Sequence, residues 1–94
     1  MINILKMGSK EKLIARFQAL PTLPTDFTWD ELSRLLKALG YESCNKGKTS
    51  GSRVIFRNYG KKPIMLHKPH PGNIIKGYVM KQVYEYLKSE GLII

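Results

Sequence analysis

The chain has 94 residues, of which 43% are hydrophobic and 24% charged, and this composition predicts one small globular domain with a single compact core. Sixteen Lys and Arg residues against seven Asp and Glu residues give a net charge of +9. The lone cysteine, Cys44, excludes an internal disulfide, and no apolar run is long enough to span a bilayer or typical of a signal peptide, so we expect a reducing cytoplasm.

The positive charge is concentrated in the middle of the chain. Residues 43–84 carry nine Lys and Arg residues and no Asp or Glu, whereas the charges of all other residues cancel. A segment of one sign within a folded domain indicates a large polyanionic partner, with nucleic acid as the foremost choice. The alternative is a basic surface that only keeps the protein soluble.

The first predicted element is a short helix over residues 9–20, SKEKLIARFQAL. Ser9 is placed to act as its N-cap. An apolar stripe recurs at helical spacing along it: Leu13, Ile14, Phe17 and Leu20. This stripe packs either against the rest of the chain or against a second copy in a homodimer, and the sequence leaves both arrangements open.

A proline-containing segment follows this helix. Pro21 and Pro24 cannot continue a helix, and they bias the preceding residues to extended shapes. We therefore predict an N-terminal helix with a stiff linker over residues 1–26 and a main domain over residues 27–94.

The main domain begins with a strong helix-start signal. Thr28 and Glu31 predict a capping box, and Phe27 with Leu32 predicts the hydrophobic staple around it. Gly40 is the expected stop. The apolar stripe of this second helix consists of Leu32, Leu35, Leu36 and Leu39.

Three short strands are predicted next: YESC (41–44), SRVIF (52–56) and IMLH (64–67). Alternation along the last two separates an apolar face from a polar one. The apolar face comprises Val54, Phe56, Ile64 and Leu66. If that face packs on helices, the opposite face presents Arg53, Arg57 and His67 to solvent.

A final helix is predicted from about residue 78 to residue 89, with Gly91 as its stop. Its buried stripe is predicted to be Val79, Val83, Tyr86 and Leu87. The order helix, three strands, helix predicts an α+β sandwich with a three-stranded antiparallel sheet and both helices on one face. This is the α-β-β-β-α architecture of a double-stranded-RNA-binding domain (dsRBD), to which the N-terminal helix is an addition.

Several kinds of chemistry are unsupported by the sequence. Histidine and cysteine do not cluster at zinc-ligand spacing, the acidic residues are scattered, and no phosphate-binding glycine motif is present. We therefore predict no metal and no cofactor.

Two basic segments remain as candidate sites. The loop NKGKTSGSR, residues 45–53, offers Lys46, Lys48 and Arg53 to phosphates, or is simply a solvated hairpin. The segment LHKPHPGN, residues 66–73, holds the only two histidines of the chain. Histidine exchanges protons near neutral pH, which suits RNA cleavage through attack by the 2′-hydroxyl. The alternative is a rigid turn whose imidazoles only cap the backbone.

From Thr28 to Leu92 the chain resembles the HicA-type toxins of bacterial type II toxin–antitoxin systems. The matching features are LLKALGYE (35–42), the pair Gly51-Ser52, the PHPGN turn (69–73) with Lys76 after it, and the GLI tail (91–93). The resemblance implies a dsRBD-like protein that binds and cleaves mRNA without a cofactor and is neutralised by a HicB-type antitoxin encoded beside it.

One position departs from the family pattern. Members usually carry a catalytic histidine in the second strand, as Gly-Ser-x-His, whereas this chain reads Gly51, Ser52, Arg53, Val54. Valine cannot transfer a proton. Either His67 on the neighbouring strand takes over, or the protein no longer cuts RNA and serves as an RNA-binding module or as an antitoxin-binding subunit. A third alternative is that the strand register differs by one residue and brings Arg53 to the functional face.

We therefore predict His67 and His70 as acid–base residues, with Arg53 stabilising transition-state charge. His70 lies within the turn, where a shaping role is the alternative, so His67 is the preferred base. The predicted phosphate contacts are Lys46, Lys48, Arg53, Arg57, Lys68 and Lys76.

Overall fold

A computed structural model describes residues 8–18, 22–44 and 53–93. Its helices are α1 (Ser9–Phe17), α2 (Trp29–Ala38) and α3 (Gly77–Ser89), and its strands are β1 (Glu42–Cys44), β2 (Arg53–Arg57) and β3 (Ile64–His67). The three strands form one antiparallel sheet in the order β1-β2-β3. The predicted α+β, dsRBD-like order is therefore confirmed, with element ends shifted by three residues or fewer.

The strand register confirms the predicted division of the sheet into two faces. Val54 pairs with Leu66, and Phe56 with Ile64. Phe56, Ile64 and Leu66 are buried in the core, and Val54 packs at its edge. The intervening side chains point the other way, and the predicted polar residues among them are exposed: Arg53, Arg57 and His67.

Helix α2 begins and ends as its sequence predicts. The Thr28 hydroxyl oxygen accepts a hydrogen bond from the Glu31 N–H (3.1 Å), and the Glu31 carboxylate accepts one from the Thr28 N–H (3.0 Å), which completes the capping box. At the other end Gly40 adopts a φ of +101°, and the Tyr41 N–H donates to the Leu36 carbonyl (2.9 Å). This is the Schellman ending that the glycine predicts.

The buried stripe of α3 differs from the prediction at one side. Met80, Val83 and Leu87 are buried, whereas Val79 and Tyr86 are only half-buried. Met80 was missed because the predicted stripe started from Val79. Val83 and Leu87 belong to both stripes, so the buried face is only turned from the side of Val79 and Tyr86 towards Met80.

The N-cap of α1 lies one residue before the predicted one. Gly8, with extended backbone, is the N-cap, and Ser9 is the first helical residue. The Gly8 carbonyl already accepts the first helical hydrogen bond, from the Lys12 N–H (3.0 Å), so the Ser9 cap prediction is wrong. The helix ends at Phe17, and Leu20 of the predicted stripe lies outside the described residues.

The apolar side of α1 packs on its own chain. Phe17 is fully buried between the rings of Phe27 (centroids 5.4 Å apart) and Tyr84 (6.3 Å). Beside it, the Arg16 guanidinium bonds the Glu31 carboxylate at 2.6 and 3.2 Å. The ion pair joins α1 directly to the capping box of α2.

In the described part of the chain, no helix has the length and apolar character needed to cross a membrane.

Candidate functional site

The segment that carries both histidines is held against the start of α2. We refer to residues 67–73 as the histidine turn. The turn begins at His67, which is also the last residue of β3. At its other end the Asn73 carbonyl accepts a hydrogen bond from the Trp29 N–H (2.7 Å). The Ile75 N–H donates in turn to the Phe27 carbonyl (2.9 Å), and the Ile75 side chain is buried. Backbone bonds on both sides of Thr28 therefore fix the path of the turn.

A cavity of about 330 Å³ lies between the end of β3 and the start of α3. We call it the turn cavity. Among the described residues no Asp or Glu lines it. The lining side chains that bear on binding are Met65, His67, Lys68, His70, Lys76 and Tyr78.

The turn cavity concentrates positive charge at a helix start. Lys68 and Lys76 are exposed, and Lys76 is the N-cap residue of α3. The first turn of α3 contains no acidic side chain, so the positive end of the helix dipole is not offset there. The structure thus brings four predicted site residues together at one cationic cavity: His67, Lys68, His70 and Lys76.

Arg53 is not among the residues that line the cavity, but it lies next to this group on the neighbouring strand. It is the direct cross-strand partner of His67, and both side chains are exposed on the same face. Opposed residues of an antiparallel pair have Cα atoms about 4.5–5.5 Å apart, so the guanidinium can reach a group bound at the imidazole.

The other predicted basic contacts lie elsewhere. Arg57 is on the same face of β2 but opposite Glu42, about 13 Å along the strand from Arg53. Lys46 and Lys48 fall outside the described residues.

Val54, which the resemblance described above aligns with the family's usual histidine, faces the other side of the sheet. It is half-buried and pairs with Leu66 rather than His67. It lines a second cavity of about 330 Å³, the valine cavity, whose polar lining comprises Asp30, Ser33, Lys37, Ser43 and Lys68. His67 and Val54 therefore lie on opposite faces of the sheet. Of the residues named for the two cavities, only Lys68 lines both. The strand register is the one predicted, and with it Arg53 already lies on the exposed face beside His67, without a shift of one residue.

Sequence reasoning missed the valine cavity and Tyr78. The polar residues that α2 contributes to the valine cavity, Asp30, Ser33 and Lys37, recur at helical spacing opposite the leucine stripe, and this spacing was the available signal. Tyr78 comes two residues after Lys76, and 64% of its surface is exposed. An aromatic residue that close to a basic helix start was a signal for binding.

The turn is also connected to α1 through charged groups. The Arg16 hydrogen bond holds the pKa of the Glu31 carboxyl at about 2, well below its ordinary value of 4.5, and bonds from Thr28 act in the same direction. Thr28 pairs in turn with Ile74 in an isolated β-bridge just after the histidine turn. The ion pair thus supports the helix start on which the turn rests.

No group of three or more His, Cys, Asp or Glu side chains that could hold a metal ion occurs in the part of the chain that the structure describes.

The fold and the site together define a small basic α+β protein of dsRBD-like architecture, with a cationic cavity that carries both histidines. A family model described as the HicA toxin of bacterial toxin–antitoxin systems matches residues 29–91, and the chain belongs to this family. The predicted family resemblance is confirmed, and α1 precedes the matched region. Comparisons with curated proteins and with solved structures give no match.

Proposed function

We propose that this toxin binds mRNA and cleaves it, and that the turn cavity is where the phosphodiester bond is attacked. The observation that carries the proposal is the joint position of His67 and His70 on one cavity with Lys68 and Lys76. Two proton-exchanging groups and two fixed cations are the parts that cleavage by the RNA's own 2′-hydroxyl requires.

In the proposed reaction His67 takes the proton of the 2′-hydroxyl as its oxygen forms a bond to phosphorus. The bond from phosphorus to the 5′-oxygen breaks, and His70 donates a proton to that leaving oxygen. The products are a 2′,3′-cyclic phosphate and a 5′-hydroxyl. This route uses only groups of the RNA and the protein, so it proceeds without a metal or cofactor.

Basic side chains bind the charge in this reaction. Arg53, which is paired with His67 across the sheet, stabilises the extra negative charge on the phosphoryl oxygens in the transition state. Lys68 and Lys76 hold the phosphates on either side. We propose that Lys46, Lys48 and Arg57 extend the path of the RNA backbone beyond the cavity.

The test uses purified protein and a defined mRNA, with products identified by their end groups. We expect the wild type to produce 2′,3′-cyclic phosphate ends, and His67→Ala to lose about 100-fold or more in rate. His70→Ala is expected to lose rate as well if His70 is the acid. Tyr59→Ala, whose side chain is fully exposed in the turn between β2 and β3, serves as the control for surface substitution.

The same variants can be followed in cells. Overexpressed wild type should arrest growth, and His67→Ala should relieve the arrest while retaining the wild-type circular dichroism and melting temperature. Full toxicity of the double variant His67→Ala/His70→Ala would rule out acid–base catalysis by these two histidines.

The partner proposed for this toxin is a HicB-type antitoxin encoded by an adjacent gene. The support is family membership, which implies a cognate neutralising protein. Co-expression of the neighbouring small gene product should abolish growth arrest and yield a complex that co-purifies. Failure of every adjacent product to neutralise the toxin would remove this part of the proposal.

A second function, RNA binding without cleavage, is favoured by one specific observation. Valine occupies the position of the family's usual histidine, and the valine cavity still contains polar groups around it. Under this function the wild type binds RNA and leaves it intact, with log K falling by about 0.7 per log salt for each phosphate neutralised on a single strand. Val54→His should then introduce cleavage, whereas under the first function cleavage is already present and depends on His67.

A further inference from the structure

Exposed apolar side chains are concentrated around the turn cavity. Among the described residues, the large hydrophobic side chains that stand out into solvent include Tyr78 (64% exposed), Met65 (53%) and Ile74 (45%). Tyr78 and Met65 line the cavity, and Ile74 follows the histidine turn directly. Tyr59 is the fourth, and it lies in the turn at the opposite end of β3. An exposed apolar patch on a basic surface indicates a binding site for a ligand that has both apolar and negatively charged parts.

We infer that the Tyr78 ring is the stacking platform for one unpaired base of the RNA whose phosphates Lys68 and Lys76 bind. The inference rests on the proposed function. It adds that the bound RNA is single-stranded at this point and that Tyr78 contacts its base. Sites for single-stranded nucleic acid combine cations that follow the backbone with aromatic rings on which bases stack. The turn cavity has both, and no Asp or Glu among its described lining residues repels the backbone.

The position of Tyr78 suits this role. It lies in the first turn of α3, directly after the cationic start of the helix at Lys76 and Gly77. Gln82, one helical turn further on, lines the same cavity and offers an amide to the edge of a stacked base. Lys68 lines the cavity just after β3 and Lys76 lines it at the start of α3, so one cavity holds both proposed phosphate contacts and the ring.

The size of the cavity suits a single unpaired nucleotide. About 330 Å³ is at the small end of cavities that enclose a small-molecule-sized group, which is room for a nucleotide rather than a helix. In duplex RNA the bases are stacked inside, and side chains cannot reach them through the deep major groove. A ring at this cavity therefore acts only on a base that has left the stack.

The experiment measures binding and is independent of cleavage. A fluorescent single-stranded oligonucleotide with 2′-O-methyl groups throughout has no 2′-hydroxyl to attack, so it stays intact. Its affinity is measured by anisotropy for the wild type and for Tyr78→Ala, Tyr78→Phe and the control Tyr59→Ala. Two further probes of the same sequence are used: a duplex, and a single strand in which successive positions lack the base.

We expect Tyr78→Ala to weaken single-strand binding about 5- to 150-fold, the range for loss of one stacked base. Tyr78→Phe should bind like the wild type because the ring is retained, and Tyr59→Ala should also bind like it. The salt dependence should be unchanged in Tyr78→Ala, whereas Lys76→Ala should reduce its slope by about 0.7. Removing the base at one position should weaken the wild type but not Tyr78→Ala.

Two results overturn the inference. One is unchanged single-strand affinity in Tyr78→Ala, including the case in which that variant instead loses binding to the antitoxin. The other is a wild type that prefers the duplex, with Tyr78→Ala affecting both probes equally. A wild type that binds none of the probes contradicts the proposed function itself, so the two failures are distinguishable.

Discussion

Arg53 and His67 are direct partners across the antiparallel pairing of β2 with β3, and both side chains are exposed on the same face of the sheet. The pairing places the permanently charged guanidinium of Arg53 next to the imidazole of His67, a group that can exchange protons. Arg57, on the same face of the same strand, is instead paired with Glu42. Arg53 and Arg57 are therefore both exposed, but the residues opposite them on the neighbouring strands differ.

This difference predicts unequal effects on RNA cleavage. Arg53→Ala should lower the cleavage rate by about 100-fold, the lower end of the loss on removing one transition-state donor. Arg57→Ala should change the rate much less, because its side chain lies at the far end of the strand. Single-turnover cleavage of a short RNA by both variants measures the difference, and equal losses would show that Arg53 acts only in general phosphate binding.

The ion pair of Arg16 with Glu31 predicts a pH-dependent stability. The folded state holds the pKa of Glu31 at about 2 against an ordinary value of 4.5, chiefly through the Arg16 hydrogen bond. A lowered pKa stabilises the fold in full above pH 4.5, and this contribution is lost as the pH falls from 4.5 towards 2. Urea unfolding of the wild type should therefore show a declining free energy of unfolding across that window.

Glu31→Gln isolates this contribution. Glutamine keeps a capping-box partner for Thr28 but carries no titrating charge. The variant should be less stable than the wild type at pH 7 and should lose less stability between pH 4.5 and 2. Glu85→Gln, at an exposed position of α3, is the matched control. An unchanged pH profile in Glu31→Gln would contradict the role of the ion pair.

Packing of α1 predicts that it unfolds together with the rest of the described chain. Phe17 is fully buried against Phe27 and Tyr84. Phe17→Ala should lower the free energy of unfolding by about 3–5 kcal/mol, the usual cost of deleting a buried aromatic side chain. Ile14→Ala, at a half-buried position on the same helix, should cost less. Two separate unfolding transitions in the wild type would instead mean that α1 folds apart from the main domain.

We compare two glycines with positive φ, Gly40 at the end of α2 and Gly60 in the turn between β2 and β3, and predict that Gly40 tolerates substitution less well. Gly40 has a φ of +101°, and a Cβ added there would lie 3.1 Å from the Asn58 amide nitrogen, which donates to the Leu39 carbonyl (3.2 Å). Gly60 has a φ of +78°, and a Cβ there would meet no atom of the described residues within 4 Å.

Backbone strain should cost each alanine variant about 1–2 kcal/mol. Gly40→Ala should cost more than Gly60→Ala, because it also displaces Asn58 from the end of α2. Urea unfolding of the two variants under one condition measures the difference. A larger loss in Gly60→Ala would contradict the role assigned to Asn58.

Most of the fold was predictable because its signals are local. The capping box at Thr28 and Glu31 and the glycine stops at Gly40 and Gly91 depend on neighbours a few residues away, and all were confirmed. Strand alternation correctly separated Arg53 and His67 from Val54. The errors at Ser9 and Met80 are shifts of one position, which arise where neighbouring residues suit the same role and packing selects between them.

The sequence by itself determined the element order, the excess of positive charge between residues 43 and 84, and the family resemblance, because composition, periodicity and motifs are properties of the chain. Only the tertiary structure decided which of these residues meet. It placed His67, His70, Lys68, Lys76 and Tyr78 around one cavity, and it brought Val54 together with polar residues of α2 at another. It also decided that α1 packs on its own chain. These outcomes depend on contacts between residues far apart in sequence, which the cross-strand register and the packing of Phe17 establish.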